Sequence, residues 1–226
     1  MPGRGQNSRV PPREHRSRGG AFSGDMLDFH HHTHPLLAEA SACTVCAECL
    51  PLGPRPIFRI HPRATVALLS QAPGRLAHES GVAWQDPSGR KLREWLGVTE
   101  EEFYLTDTFA VLPNGLCYPG KGKGGDLPPR PECAPRWQEP LRALMPDLQL
   151  NVLIGAYAQR YYLGARRKRT LTETVRSFRE YLPEYFVLPH PSPRNGIFLR
   201  RNPWIEAEVI PALQRRVREL ILPVNR

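Results

Sequence analysis

TVALLSQAPG, residues 65–74, is a run of small and branched apolar residues cut off by a Pro-Gly turn. A run this short, bounded by turn residues, reads as a buried strand rather than a helix. Gln71, Ala72, Pro73 and Gly74 then make a tight turn that can leave backbone N–H groups pointing into a crevice. Three further apolar runs follow: FYLTDTFAV (103–111), LQLNVLIG (148–155) and YFVLPH (185–190). Between them lie helical patterns. SGRKLREWLG (88–97) has Ser88 as N-cap and Gly97 as its stop, and WQEPLRALMP (137–146), AYAQRYYLG (156–164) and TLTETVRSFREYL (170–182) follow. PWIEAEVIPALQRRVREL (203–220) closes the chain as a long amphipathic helix, and Pro35–Ala42 opens it as a short one. Strands alternating with helices require right-handed crossovers. The fold expected is therefore α/β, a three-layer α/β/α sandwich around a four-stranded parallel sheet.

Ligands of such sheets bind beyond the carboxyl ends of the strands. SQAPG follows the first strand and PHPSPRN (189–195) follows the fourth, so both belong to one site. A histidine between prolines, followed by Arg-Asn and a basic run, has chemical meaning in that position.

Composition narrows the partner. The 226 residues carry 31 Lys and Arg against 22 acids, a formal charge of +9, with Arg greatly outnumbering Lys. Phosphate recognition is the expected use of that excess, and nucleic acid the leading partner class. No window approaches the ~20 apolar residues of a membrane span, and no apolar segment follows the N-terminal arginines, so no membrane contact and a cytoplasmic protein are expected. Residues 1–34 are rich in Gly, Pro, Ser and Arg and read as a disordered basic arm ahead of one domain, 35–226, with Met26 as a second conceivable start. His30–His34, HHHTH, reads as the edge of the first helix, with metal binding as the alternative.

The two strand-end motifs together resemble the uracil-DNA glycosylase superfamily. Its iron-sulfur members carry a Gly-Glu-Ala-Pro-Gly loop followed by Gly-x-Pro-Phe, and its single-strand-selective monofunctional members carry His-Pro-Ser-Pro-Arg-Asn. Here the first loop reads Ser70-Gln71-Ala72-Pro73-Gly74, Gly81-Val82-Ala83-Trp84 stands where Gly-x-Pro-Phe is expected, and the resemblance spans about residues 43–220. It implies a monomeric, monofunctional DNA glycosylase of base excision repair that hydrolyses the N-glycosidic bond of uracil, or of another deaminated base such as hypoxanthine, in DNA. The alternative is a non-catalytic DNA-binding protein of the same fold. A third, a zinc-stabilised hydrolase of a small nucleoside, leaves Arg194 without a purpose.

The resemblance also implies roles. His190 donates to the anion developing on the base O2, helped by Gln71 and the backbone of Ala72. Pro73 and Gly74 complete the base-binding loop, and Trp84 stacks on the base. Arg194 occupies the position of a leucine wedge, within a loop stiffened by Pro191 and Pro193 that also holds Ser192. Asn195 contacts a phosphate or the opposite strand. By their charge, Arg200 and Arg201 are expected to bind phosphates, and the run Arg166, Arg167, Lys168 and Arg169 either joins them or is a solvated basic loop. Two family carboxylates are missing, because Ala72 and Gln71 stand in their places. Asp86 is left either as a water activator or as the charge at a helix N-terminus. Asp107, near the end of the expected second strand, and Asn114 are left to read the base edge.

Five cysteines in a reducing compartment suggest ligation or buried thiols. CTVCAEC offers Cys43, Cys46 and Cys49, and a later pair, Cys117 and Cys133, completes a four-thiolate set suited to a [4Fe-4S] cluster or zinc. Their intervals are similar to those of the iron-sulfur glycosylases, which selects Cys43, Cys46, Cys117 and Cys133. Cys49 can replace Cys43, and five unligated thiols remain the other reading.

Overall fold

The computed structural model describes residues 34–105 and 107–221. Most of the expected basic arm, including His30–His32 of the histidine run, lies outside them. Four strands, β1 (Val66–Leu69), β2 (Phe109–Val111), β3 (Leu150–Ile154) and β4 (Tyr185–Leu188), form one sheet in the order β2-β1-β3-β4. Every pairing is parallel, with Ala67 opposite both Ala110 and Asn151, and Leu153 opposite Val187. All strand residues are buried, which is why these segments read as continuous apolar runs instead of alternating ones.

The helices, in chain order, are α1 (Pro35–Ser41), α2 (Arg75–Ser80), α3 (Pro87–Leu96), α4 (Glu100–Leu105), α5 (Cys133–Arg142), α6 (Gly155–Leu163), α7 (Leu171–Arg176), α8 (Gly196–Arg201) and α9 (Ile210–Arg218). They cover both faces of the sheet, giving the expected sandwich. α3 packs against α9 through Leu92, Trp95 and Leu96 on one side and Leu213 and Val217 on the other, all buried. Each such aliphatic side chain contributes about 1.5–3 kcal/mol by leaving water.

Some boundaries differ from the sequence reading, each for a local reason. The expected second strand, 103–111, is shortened to Phe109–Val111, because Glu100–Leu105 is helix. Its start is a capping box: Thr99 Oγ1 accepts from Glu102 N at 3.0 Å and Glu102 Oε2 accepts from Thr99 N at 2.8 Å. Half-buried Arg59 then ties this helix to β2 by donating to the carbonyls of Phe103 and Phe109. Burial pulls that guanidinium down to about 10, still charged at neutral pH.

The N-cap of α3 is Asp86, not Ser88: Asp86 Oδ1 accepts from Gly89 N at 2.8 Å, Pro87 takes the first turn, and Gly97 ends the helix as expected. The helix expected over 137–146 begins earlier, at Cys133, and ends at Arg142. The segment 170–182 divides into α7, capped by Thr170 and Glu173, and a 3-10 turn over Phe178–Tyr181. The last helix opens as a π turn over Ile205–Val209, because Pro211 has no N–H for the carbonyl of Ala207.

Candidate active site

The loops leaving β1, β2 and β4 enclose a cleft of about 590 Å³ at the carboxyl edge of the sheet. Gln71, Ala72, Pro73 and Gly74 line one part of it, Trp84 and Asp86 another, and His190, Ser192 and Arg194 a third. Residues far apart in the chain and singled out from the sequence therefore meet in one place.

His190 is half-buried at the end of the segment that leaves β4. Burial pushes its imidazole below the ordinary value, while Asp86 and Asp126 pull it back up. The ring is therefore neutral at neutral pH, a donor at one nitrogen and an acceptor at the other. It faces the Trp84 indole with centroids 5.8 Å apart and planes tilted by 32°. The backbone behind it is braced by Asn195, whose Nδ2 donates to the His190 carbonyl at 2.8 Å. One N–H of the Asn195 amide thus braces the loop.

Trp84 is the one non-glycine among the described residues with positive φ, 65°. A bulky residue holds such a conformation only when its surroundings impose it. Three contacts do so. Arg93 Nη1 donates to the Trp84 carbonyl at 3.0 Å, the Tyr104 hydroxyl donates to the Ala83 carbonyl at 3.0 Å, and Gly89 packs beneath. A β-carbon on Gly89 would stand 1.6 Å from the Trp84 carbonyl oxygen, so only glycine fits there.

The sequence reading missed Asp126, Gly124 and Gly125, which also line the cleft. They belong to a glycine-rich turn folded by Gly122 N to Gly125 O (2.7 Å) and Leu127 N to Gly120 O (2.8 Å). Gln71 Nε2 tethers the turn by donating to the Leu127 carbonyl at 3.0 Å. Nothing local to GKGKGGDLPP announces this; the turn acquires a role only by folding over the first loop.

At the mouth, Ser192 Oγ accepts from Arg194 N, fixing the short turn that carries Arg194. Arg194, Arg200 and Arg201 are exposed and make no ion pair among the described residues. In the run 166–169, by contrast, Arg166 pairs with Glu184, Lys168 with Glu180 and Arg169 with Glu173. Ile197, 59% exposed on α8 beside Arg194, is a further apolar side chain on this rim.

Asp107 and Asn114, both expected to read the base edge, are not among the residues lining the cleft, although Asn114 adjoins it at Pro113. Asp107 precedes the shortened β2, on the amino side, with His61 Nε2 and Arg63 Nη1 each 3.6 Å from its carboxylate. Asn114 is buried behind Pro113, which does line the cleft. Its Nδ2 donates to the Tyr157 carbonyl at 3.2 Å and its Oδ1 is left without a partner.

Cys43, Cys46, Cys117 and Cys133 line a second, small cavity with Leu50, Arg130 and Trp137, while Cys49 is exposed and outside that lining. Leu116 N donates to Cys133 Sγ at 3.2 Å. Burial pushes the Cys117 thiol up to about 11 and Cys133 up to about 12. Among the described residues no three His, Cys, Asp or Glu close in on a single metal-ion position. Nor is any described helix long and apolar enough to cross a membrane.

The model of the uracil DNA glycosylase superfamily matches residues 58–214, a span holding all four strands and every residue named around the cleft. Members of that superfamily are DNA glycosylases acting on DNA, and with more than half of its length matched this chain belongs to the uracil DNA glycosylase superfamily.

Proposed function

We propose that the protein is a monofunctional glycosylase that hydrolyses the N-glycosidic bond of uracil in DNA, working as a monomer in the cytoplasm. The observation that carries this reading is the neutral, half-buried His190 facing Trp84 at the carboxyl edge of the sheet. Breaking the bond from the base to C1′ leaves negative charge on the base and positive charge on the sugar. The His190 N–H, aimed at the base O2, opposes the first of these, and one such preorganised donor supplies about 2.7–4 kcal/mol. Trp84 supplies a stacking surface worth about 1–3 kcal/mol per base, locked in place by Gly89 and Arg93. Asn114, with its unpartnered Oδ1, offers the acceptor that an imide N–H needs.

Extraction of the base from the stack costs a few kcal/mol, which the rim offsets. Arg194 enters the space left behind, and Arg200 and Arg201 hold phosphates, so that binding falls with salt. Among the described residues no lysine lines the cleft. A Schiff base therefore has no nucleophile, and hydrolysis without strand cleavage is the chemistry proposed. A non-catalytic binder is the weaker alternative, because Asp86 and Asp126 both act on His190.

The same proposal includes a [4Fe-4S] cluster held by Cys43, Cys46, Cys117 and Cys133. Four of the five thiols line one cavity, and the exposure of Cys49, outside that lining, favours Cys43. Buried thiols this basic become thiolates only beside compensating metal charge. A bound cluster would supply a cross-link between the segment around α1 and the 117–133 loop.

The test is base release from labelled oligonucleotides carrying one uracil or one hypoxanthine, using anaerobically purified protein. Release of uracil with an intact abasic strand is the result expected. Tight binding with no release of either base would leave the non-catalytic reading.

A further inference from the structure

Hydrolysis needs a group to take a proton from water, and the cleft offers few. Asp86, Asp126 and His190 are its titratable lining residues apart from Arg194. His190 is occupied as the donor to the base in the reading above. Asp86 has one oxygen engaged by Gly89 N–H as the N-cap of α3, so that carboxylate already has a structural task.

From the glycine-rich turn that Gln71 tethers over the cleft, we infer that Asp126 is the carboxylate that activates the attacking water. The inference rests on the glycosylase reading and deepens it. Asp126 caps no helix, and its Oδ2 lies 3.7 Å from the position a Gly74 β-carbon would take, beside the loop that receives the base. Asp126 acts electrostatically on His190, so the two groups work on one space. Its turn is fixed by the Gly122–Gly125 and Gly120–Leu127 bonds and by the Lys121–Asp126 bridge. Arg194 Nη1 lies 3.2 Å from where a Gly125 β-carbon would be, so the proposed wedge abuts the residue next to Asp126. Insertion of Arg194 into DNA therefore acts directly on the turn that carries the base.

In the step, the C1′–N1 bond breaks and its electron pair leaves with uracil, held at O2 by the His190 N–H. The water oxygen bonds to C1′ while its proton passes to Asp126. That proton then returns to N1 of the departing base, leaving neutral uracil and a sugar hydroxyl at C1′.

The experiment compares wild type, Asp126→Asn, Asp126→Ala and Asp86→Asn under single-turnover conditions on a uracil oligonucleotide. Binding is measured in parallel on the same oligonucleotide with a non-hydrolysable 2′-fluoro sugar. Asp126→Asn should slow excision about 100-fold or more while leaving binding within about threefold, as loss of a general base does. Formate should restore part of the activity of Asp126→Ala, which a merely structural role would not allow. Excision by Asp126→Asn at the wild-type rate, or a rate loss matched by an equal loss of binding, overturns the assignment; in the first case a dead Asp86→Asn would take the role. A wild-type protein that binds uracil DNA and releases nothing sinks the glycosylase reading itself, and this inference with it.

Discussion

The two edges of the sheet use aspartate in opposite ways. At the amino edge, Asp107 is only 14% exposed in its side chain and sits between His61 and Arg63. At the carboxyl edge, Asp86 and Asp126 border an open cleft and act on a half-buried imidazole. The first carboxylate is compensated by the Arg63 guanidinium, with the His61 imidazole on its other oxygen. The second pair keeps a histidine that burial would otherwise make still less basic within reach of protons. Parallel sheets favour this division, since their carboxyl-end loops diverge into crevices.

Replacing His190 by Ala should sharpen the contrast most. The loss of one oriented donor predicts about a 10²–10³-fold drop in single-turnover excision, with thermal stability nearly unchanged because the side chain borders a cleft. A comparable fall in melting temperature would mean that the carboxyl edge is structural after all. Next comes Gly89→Ala, which tests the support and not the chemistry. A β-carbon 1.6 Å from the Trp84 carbonyl oxygen must displace either α3 or the Trp84 turn. Destabilisation of about 2–4 kcal/mol in denaturant unfolding is expected, together with weaker base binding.

The protonation of His190 gives a subtler test. Burial lowers its pKa in the folded protein below the unfolded value of about 6.5, so the fold prefers neutral imidazole. The stability contributed by that preference is complete above about 6.5 and is lost as pH falls toward the folded pKa. An NMR titration of the ring should place its midpoint below that of a free histidine. Asp86→Asn and Asp126→Asn should each lower it further, since each carboxylate now raises it. No response to Asp126→Asn would separate that residue from the site.

Three strands could be read directly because burial on both faces leaves only apolar residues in them, and the strand-end motifs then located the cleft. The second strand was misread because Phe103 and Tyr104 suit a buried strand or a buried helix equally. The deciding signal, Thr99 with Glu102 three residues on, was local and was missed, whereas Asp86 at the N-terminus of α3 was among the readings, with only the cap placed two residues late at Ser88. That error moved Asp107 from the start of β2 to its end, and so from an ion pair into a base-binding role. Asp126 had no such signal. Its place in the cleft depends on a tether from Gln71, 56 residues away along the chain, which no pattern within the turn encodes.

The smallest expected effect bears most directly on the contrast between the edges. Asp107→Asn removes a charge from between His61 and Arg63 while keeping size and shape, so the Arg63 guanidinium loses this ion pair but no cavity forms. Arg63 is more than half exposed, and solvent screens its share, which limits the cost to about 1 kcal/mol. A drop of a few degrees in Tm is therefore expected, more at low salt than at high salt. Excision should not change, because the carboxylate lies on the far side of the sheet from His190. If Asp107→Asn instead slowed excision while leaving Tm alone, the amino edge would belong to the site, and the carboxylates bordering His190 would lose their claim to be the ones that matter.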